Sequence, residues 1–522
     1  MKLNQLKAGS ILSYLQMALN ILIGLVYTPV MLSTLGASEH GLYNTVASTI
    51  SMLSLLSLGF NSSYVRYFAK YKKNHDTESI YKLNGLFMLL FTVIGLVALA
   101  CGLFLTTHLE LVFAEGLTEG EYEIARVLML LLTVNLSVSF PASVFSSIIS
   151  ANERFVVLKL LGMVRTVISP LVTMPLLLVG FRSIAMVTVT VVMSLIVDIL
   201  YAVYVLVILK NKFVFRGFEK GIMRDLFVYT SFIALNMVVD QINWNVDKIL
   251  LGRFRGTVAA SIYGVGFTLY NYYMMFSTSI SGVFAPRVHA LVRQTENDPS
   301  AQRRVLTAFV TRVGRIQFLV MALVATGLIF FGQYFIGDLW AKPKFDEALG
   351  ILVTYDDSYW IVVMLIVASF IALIQNICIE IQRAQNKHKF RSLVYAGMAM
   401  LNLIASVILV RPYGALGCAF ATMVSMLIGN GLVMNVYYHR QCNIDMKEFW
   451  REILSCAKGL LIPLAAGVGL SFLVQSVWTF LLCGAAYVIV YAVSMWLFGM
   501  NDYEKQLILK PLRKLTARFR TR

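Results

Sequence analysis

The sequence predicts an all-α integral membrane protein with about 14 transmembrane helices. Long apolar segments fill nearly the whole chain of 522 residues, which has 58% hydrophobic residues and a mean hydropathy of +0.75. A hydrocarbon core of about 30 Å needs about 20 helical residues to cross, and most of these segments reach that length. Charged residues make up only 14% of the chain and fall in the gaps between the segments, so no sizeable soluble domain is expected.

The apolar segments divide into spans at gaps that contain charged or turn-forming residues. The first run, from about Ile11 to Leu35, is too long for the core of a signal peptide, so we expect it to be retained as a span. Two later spans meet at the tight turn from Arg411 to Gly414. The predicted spans are residues 10–35, 41–66, 83–107, 124–150, 156–180, 183–209, 226–251, 258–285, 305–336, 358–382, 391–411, 414–438, 453–474 and 477–499.

Basic residues concentrate in alternate loops, which predicts the orientation of the chain, because loops rich in Lys and Arg face the cytoplasm. An even number of spans then places both termini in the cytoplasm. The basic tail either lies on anionic lipid or is simply solvated. The basic loops hold Arg66, Lys70, Lys72, Lys73, Lys82, Lys210, Lys212, Arg216, Lys220, Arg224, Arg287, Arg293, Arg303, Arg304, Arg383, Lys387, Lys389 and Arg391. The opposite loops hold Glu110, Glu115, Glu119, Glu121, Asp338, Asp346 and Glu347.

Composition and spacing argue against several function classes. The net charge of +17 comes mainly from the basic loops and the tail, so nucleic acid is not an expected partner. The six cysteines lack C-x-x-C spacing, and the six histidines fall in loops or at span ends, so no metal site is expected. Nothing matches a P-loop, which argues against direct drive by ATP. We predict no catalytic residues.

The second half of the chain resembles the first, and paired halves of this kind are typical of transporters. Phe155 and Gly162 match Phe390 and Gly397 at one common shift in numbering. An even number of spans in each repeat gives two halves of the same orientation, related by an axis along the membrane normal. The early segments Leu35-Gly36 and Gly41-Leu42-Tyr43 likewise match Leu251-Gly252 and Ser261-Ile262-Tyr263.

This repeat predicts the domain organisation. Spans 1–6 form an N-terminal lobe over residues 1–210, and residues 211–225 form a cytoplasmic loop between the lobes. Spans 7–12 form the second lobe over residues 226–438. Spans 13 and 14 follow within residues 439–500, and residues 501–522 form a basic cytoplasmic tail.

The plan of six, six and two spans resembles the multidrug/oligosaccharidyl-lipid/polysaccharide exporter superfamily. Within it, the stretch Asn245–Gly252 (NVDKILLG), followed by Ile262-Tyr263, is similar to the polysaccharide-biosynthesis branch, which contains the Wzx-type flippases. The resemblance implies two MATE-like lobes that form a V around a central cavity opening to each side in turn. It implies translocation of polyprenyl-pyrophosphate-linked oligosaccharides across the bacterial cytoplasmic membrane, for O-antigen, capsule or exopolysaccharide.

The resemblance also implies partners and leaves alternatives open. The expected partners are a lipid-linked oligosaccharide and membrane lipids, with polysaccharide polymerase and export machinery as further candidates. A cation-coupled multidrug exporter of the same superfamily is the first alternative, with Asp198 as its deep acidic residue in the first lobe. A lipid II flippase would be expected to carry Arg in span 1, which has none. A membrane-embedded glycan polymerase or ligase is another, but the outer gap at 337–357 has no His or Arg.

Span 7 carries the clearest candidate substrate site. Asn236, Asp240, Asn243 and Asp247 are spaced 4, 3 and 4 residues apart, which places them on one helical face. Trp244 and Lys248 flank this stripe. Amides and carboxylates bind sugar hydroxyls, and an indole can stack on a pyranose ring. The stripe either lines a cavity or joins helices through hydrogen bonds.

Basic and acidic residues within other spans are candidates for phosphate binding and ion coupling. Arg165, Arg312, Arg315 and Arg66 are the phosphate candidates, because Arg forks suit phosphate. Arg312 and Arg315 either serve this role or reach the membrane surface, and Arg66 is equally compatible with a loop charge. Asp198 and Asp240 are candidates for coupling to H⁺ or Na⁺, with a structural ion pair between Asp198 and Arg165 as the alternative. No other cofactor is expected.

Overall fold

The computed structural model describes residues 5–113, 117–218, 221–346, 350–507 and 509. These residues are almost entirely helical, which confirms the predicted all-α membrane fold. The predicted basic tail beyond residue 509 lies outside the described residues, as do Glu115, Lys220 and Glu347 of the predicted loops.

The long helices correspond to the predicted spans, and short helices extend or divide some of them. The helices are α1 (Gln5–Met52), α2 (Phe60–Lys73), α3 (Thr77–Thr107), α4 (Glu119–Ala151), α5 (Phe155–Leu178), α6 (Ser183–Val203), α7 (Ile222–Phe254), α8 (Gly256–Gln294), α9 (Pro299–Tyr334), α10 (Asp356–Ile374), α11 (Ile377–Ala384), α12 (His388–Met426), α13 (Met434–Gln441), α14 (Met446–Ala457), α15 (Leu461–Ser471) and α16 (Val477–Ser494). A hairpin of two antiparallel strands, β1 (Lys344–Asp346) and β2 (Ile351–Val353), was not predicted and lies in the acidic loop before α10.

Ten segments of the described chain are long and apolar enough to cross a membrane. Two of them, Ile11–Lys73 and Lys389–Gln441, are each long enough for two predicted spans. A glycine breaks the helix inside each segment and so divides it in two. Helices α7 and α8 are long but fall outside these ten. The predicted substrate site lies on α7.

The chain packs as two compact units. Unit 1 comprises Met1–Val265, Trp340–Asp357 and Ala399–Ala421, and unit 2 comprises Gly266–Leu339, Ser358–Met398 and Thr422–Arg522. Each unit has its own buried apolar core. The lobe boundaries drawn from the sequence stay a prediction.

Glycines break two helical segments of unit 1 at equivalent places in the repeat. Gly36 (φ +80°) breaks α1, and Gly256 (φ +81°) begins α8 in the second half of the chain. The small residues Gly41 and Ser261 follow these breaks at the same spacing, whereas the sequence match paired Gly36 with Gly252. A Cβ atom added to Gly41 would lie 1.7 Å from the carbonyl oxygen of Thr257, so only glycine allows this backbone contact between α1 and α8.

The turns after α4 and α11, which the sequence match paired, have the same backbone geometry. Glu153 (φ +58°) and Asn386 (φ +59°) are the left-handed residues after α4 and α11. Each donates its N–H to the carbonyl three residues earlier, and the next residue donates to the carbonyl five residues earlier, at 2.8–3.2 Å. The following helices begin at Phe155 and His388. The sequence match paired Phe155 with Phe390 instead, so its register is two residues out at this turn.

Buried acidic residues stabilise the backbone next to the break in α1. Glu39 accepts a hydrogen bond from the backbone N–H of Ser183 at 2.8 Å and forms an ion pair with Arg182 at 2.5 Å. Asp346 of β1 accepts a hydrogen bond from the backbone N–H of Ser38 at 2.9 Å. Glu121 of α4 accepts from the hydroxyl of Ser38 as well. These contacts join α1, α4, α6 and the hairpin, so charges that the sequence assigned to loops are partly internal.

Candidate functional site

The predicted stripe on α7 changes from exposed to buried along its length. Asp240 is exposed, Asn236 and Asn243 are half-buried, and only 2% of the Asp247 surface is exposed. The neighbouring face of α7 packs on α1 and on the short segment that follows it, where Gln241 donates a hydrogen bond to the hydroxyl of Ser54 at 3.0 Å. One end of the stripe is thus exposed, and the other is buried within unit 1.

Asp247 lies among hydroxyl and amide groups. The hydroxyl of Tyr263 donates to its Oδ2 at 2.8 Å, and the hydroxyl of Ser406 donates to its Oδ1 at 2.8 Å. Ser406 also contacts the Oδ1 atom of Asn402 at 3.3 Å, and both of these α12 residues are buried. A buried carboxylate with oxygen-rich neighbours can bind a proton or a small hard cation.

The sequence did not identify Asn402 and Ser406 as site residues. They are four residues apart and therefore on one face of α12, which is the spacing that singled out the stripe on α7. The signal was weaker because a single Asn and a single Ser are common in membrane helices, where they join neighbouring helices.

Lys248 and Trp244 are both half-buried beside the stripe. Lys248 interacts electrostatically with Asp247 and with the buried His40 of α1. The ring Nδ1 of His40 and the hydroxyl of Ser261 form a hydrogen bond of 2.7 Å. The buried end of the stripe is therefore continuous with a polar cluster where α1 meets α8.

Arg165 and Asp198 interact, and one reading of the sequence expected an ion pair between them. Arg165 is exposed on α5, Asp198 is half-buried on α6, and the two interact electrostatically. Among the described residues they form no direct ion pair within 4 Å. The guanidinium of Arg165 is thus accessible on unit 1 while its charge is partly balanced.

Arg66 lies on a polar surface formed by α2 and α4. Its side chain is exposed, as is that of Ser62 one turn earlier. Nearby on α2, Asn61 accepts a hydrogen bond from Ser147 of α4 at 3.2 Å. Arg66 and Arg165 thus both belong to unit 1, like the α7 stripe.

Arg312 and Arg315 lie apart from these residues along the chain, in unit 2. Arg315 is buried, and its Nε donates to Glu504 at 2.6 Å while its terminal nitrogens donate to the carbonyl oxygens of Glu452 and Gly499 at 2.9 Å. The Arg312 guanidinium lies 4.4 Å from the centre of the Tyr503 ring. These contacts favour a structural role, in which both arginines attach the segment after α16 to α9. Their phosphate role stays a prediction.

A comparison with protein-family models identifies the family. The model described as "Polysaccharide biosynthesis protein" matches residues 6–292, which is more than half of the chain. The chain belongs to this family. A comparison with curated proteins finds no match.

Solved structures support the fold of this polysaccharide biosynthesis protein. The lipid II flippase MurJ, in an inward closed conformation, matches with a TM-score of 0.67 at 17% identity, over 94% of this chain and 98% of MurJ. An inward-facing MATE multidrug transporter of the MOP superfamily matches with a TM-score of 0.54 at 11% identity, over 81% and 96% of the two chains. A MOP superfamily transporter from Pyrococcus furiosus matches with a TM-score of 0.51 at 11% identity, over 82% of this chain and 96% of the transporter.

The family match confirms the predicted polysaccharide-biosynthesis branch, and the solved structures agree with the predicted fold. The matched structures, a flippase and two transporters, share the fold of this chain. The family description and the hydrophobic helices together make this chain a multi-pass membrane protein of polysaccharide biosynthesis.

Proposed function

We propose that this protein flips polyprenyl-pyrophosphate-linked oligosaccharides from the cytoplasmic to the outer leaflet of a bacterial cytoplasmic membrane. The observation that carries this proposal is the polar stripe on α7, which is exposed at Asp240, in a member of a polysaccharide biosynthesis family. The basic loops and both termini lie in the cytoplasm. The glycan is a repeat unit of O-antigen, capsule or exopolysaccharide.

The exposed part of the stripe provides groups that suit a sugar. Asn236, Asp240 and Asn243 offer amide and carboxylate oxygens and amide N–H groups to hydroxyls, and Trp244 offers an aromatic face. Exposed Arg66 and Arg165 supply the positive charge that a pyrophosphate requires inside a membrane. The polyprenyl tail stays in the lipid. Alternating access of the site to the two sides completes the transfer.

We assign coupling to H⁺ or Na⁺ to the buried end of the stripe. Asp247, held by Tyr263 and Ser406, is a more suitable ion site than exposed Asp240, because its carboxylate is already dehydrated and surrounded by oxygens. Asp198 is a second candidate for the coupling ion because of its half-buried position.

The test is deletion of the gene in its host, followed by lipid extraction and mass spectrometry of each leaflet. We expect complete lipid-linked repeat units to accumulate in the inner leaflet and the surface glycan to disappear. Unchanged lipid intermediates with intact surface glycan, in a host without a second copy, would contradict the proposal. Polymerase and export proteins are further expected partners, and co-purification from the same host tests them.

A cation-coupled multidrug exporter is the second candidate function. The MATE-like fold and the acidic residue Asp198 in a helix of unit 1 favour it. An efflux assay with cationic dyes separates the two functions. Dye efflux that is lost in Asp198→Asn, with normal lipid intermediates in the deletion strain, would favour the exporter.

A further inference from the structure

A cavity in unit 1 has no lining residue on α7. It has a volume of about 230 Å³ and lies between the end of α2, the beginning of α3 and the segment at residues 210–218. Ser79, Lys82 and Tyr71 provide its polar lining, and Leu83, Leu86 and Phe218 provide its apolar lining. The flippase proposal gives no role to any of these residues.

The wall of this cavity is fixed by backbone contacts. The buried side chain of Asn84 donates a hydrogen bond to the carbonyl oxygen of Lys212 at 3.0 Å, and the N–H of Val214 donates to the carbonyl oxygen of Tyr81 at 3.0 Å. A Cβ atom added to Gly85 would lie 2.1 Å from the carbonyl oxygen of Val214. The segment at 210–218 is thus packed directly on α3, so the cavity has a defined shape.

Positive charge dominates around the cavity. Residues 66–82 contain five Lys or Arg residues and two acidic residues. Residues 210–218 contain three Lys or Arg residues and no acidic residue. Lys82 forms an ion pair with Glu78 at 2.6 Å, but 75% of the Glu78 side chain is exposed. An exposed pair of this kind is weak, so a stronger anion inside the cavity can take the place of Glu78.

We propose that this cavity binds the phosphate head group of an anionic phospholipid from the adjacent leaflet. The polar and apolar linings match the two parts of such a lipid, with Lys82 on the phosphate and the leucines on the glycerol and acyl carbons. The cavity lies beside the first turns of α3, where its apolar run begins, and lipid head groups surround the ends of membrane-spanning helices. The bound lipid holds residues 210–218, the connection from α6 to α7, and so supports the helix that carries the stripe.

The test is binding of phosphatidylglycerol to the purified full chain by native mass spectrometry, with phosphatidylcholine as the neutral control. We expect Lys82→Gln to weaken binding of phosphatidylglycerol by about fivefold, since one basic residue near an anionic lipid contributes about that factor. Glu78→Gln removes the competing carboxylate, so we expect it to strengthen binding. Lys447→Gln, an exposed lysine on α14, is the matched control and should change nothing.

Opposite effects of Lys82→Gln and Glu78→Gln separate a phosphate site from a general loss of structure, which would shift both variants in the same direction. Equal binding in wild type and Lys82→Gln would overturn the proposal. Displacement of phosphatidylglycerol by equimolar polyprenyl pyrophosphate would overturn it too, by assigning the cavity to the transported lipid. The measurement needs no transport, so it fails or succeeds independently of the flippase proposal.

Discussion

At the residue scale, helical spacing identified the α7 stripe, but burial divides its residues between two environments. Asp240 and Asp247 are equivalent in the spacing pattern, yet one is exposed and the other is almost fully buried. The partners of Asp247 come from α8 and α12, which are separate helices of the chain. The two carboxylates should therefore respond differently to the same substitution.

We expect Asp247→Asn to abolish the dependence of transport on H⁺ or Na⁺ and to lower the transport rate at least tenfold. The substitution removes the buried charge and places an amide N–H against one of two donating hydroxyls. Asp240→Asn should instead weaken binding of the lipid-linked sugar. Transport into proteoliposomes, with varied ion gradients and substrate concentrations, measures both effects. If both variants keep full transport with the normal ion dependence, neither carboxylate couples an ion.

A second residue prediction concerns Asp445, which begins α14 outside the spans. Arg303 donates a hydrogen bond to its carboxylate at 2.9 Å, and this contact, with backbone N–H donors of Glu448 and Lys447, lowers the pKa of Asp445. Because the pKa is lower in the folded state, the ionised carboxylate stabilises the protein at pH values above the usual pKa of a carboxyl group. That stability is lost as the pH falls through the lowered pKa.

We therefore expect Asp445→Ala to reduce stability by about 1 kcal/mol near pH 7, the typical contribution of a helix N-cap. The difference from wild type should shrink as the pH falls below about 4, because the wild-type carboxyl then becomes protonated. Thermal unfolding of the purified protein in detergent between pH 3 and pH 7 measures this. A difference that stays constant over that range would show that the charge of Asp445 is not involved.

At the element scale, breaks in long helices determine how unit 1 packs. Gly36 and Gly256 lie at equivalent breaks in the repeat, and the backbone of α1 at Gly41 then meets that of α8 at Thr257. A second close contact occurs at Gly252, where an added Cβ would lie 2.5 Å from the side chain of Thr45. Glycines that carried the family resemblance are therefore contact points between the two repeats.

We expect Gly41→Ala to separate α1 from α8 and to destabilise the protein by more than about 2 kcal/mol, because the added carbon would overlap a backbone oxygen. Gly282→Ala on α8 is the control, since an added Cβ there meets no atom within 4 Å. It should be neutral or slightly stabilising, as alanine favours helices over glycine. Thermal unfolding in detergent compares the two variants, and equal melting temperatures would contradict the contact.

At the scale of the whole molecule, the distribution of charge over the loops predicts the orientation of the chain. Basic residues concentrate in one set of loops and many acidic residues in the other. Some of these acidic residues, however, belong to a buried network instead of a solvated loop, as Glu121 and Asp346 demonstrate. The positive-inside rule depends on Lys and Arg, so this difference leaves the predicted orientation unchanged.

We expect a cysteine at Lys73 to be labelled only from the cytoplasmic side and one at Asp338 only from the outer side. A membrane-impermeant maleimide, applied to intact cells and to inverted vesicles, makes the comparison. The native thiols are mostly buried and give a low background, and a chain without added cysteine is the control. Labelling of both positions from the same side would contradict the predicted topology.

The sequence by itself determined the membrane class, the approximate spans, the internal repeat and the family. Each of these depends on local properties, namely hydropathy over the length of one span, loop charge and short repeated segments. The α7 stripe was also predictable from the sequence, because helical periodicity alone places Asn236, Asp240, Asn243 and Asp247 on one face.

Only the tertiary structure decided which of these polar residues are enclosed. It joined Asp247 to Tyr263 and Ser406, buried Arg315 against Glu504, and placed the hairpin of Asp346 against α1. Most of these contacts connect positions far apart in the chain, so no local pattern contains them. The physical reason is that a polar residue in a membrane helix needs a partner, and the packing of distant helices selects which one it finds.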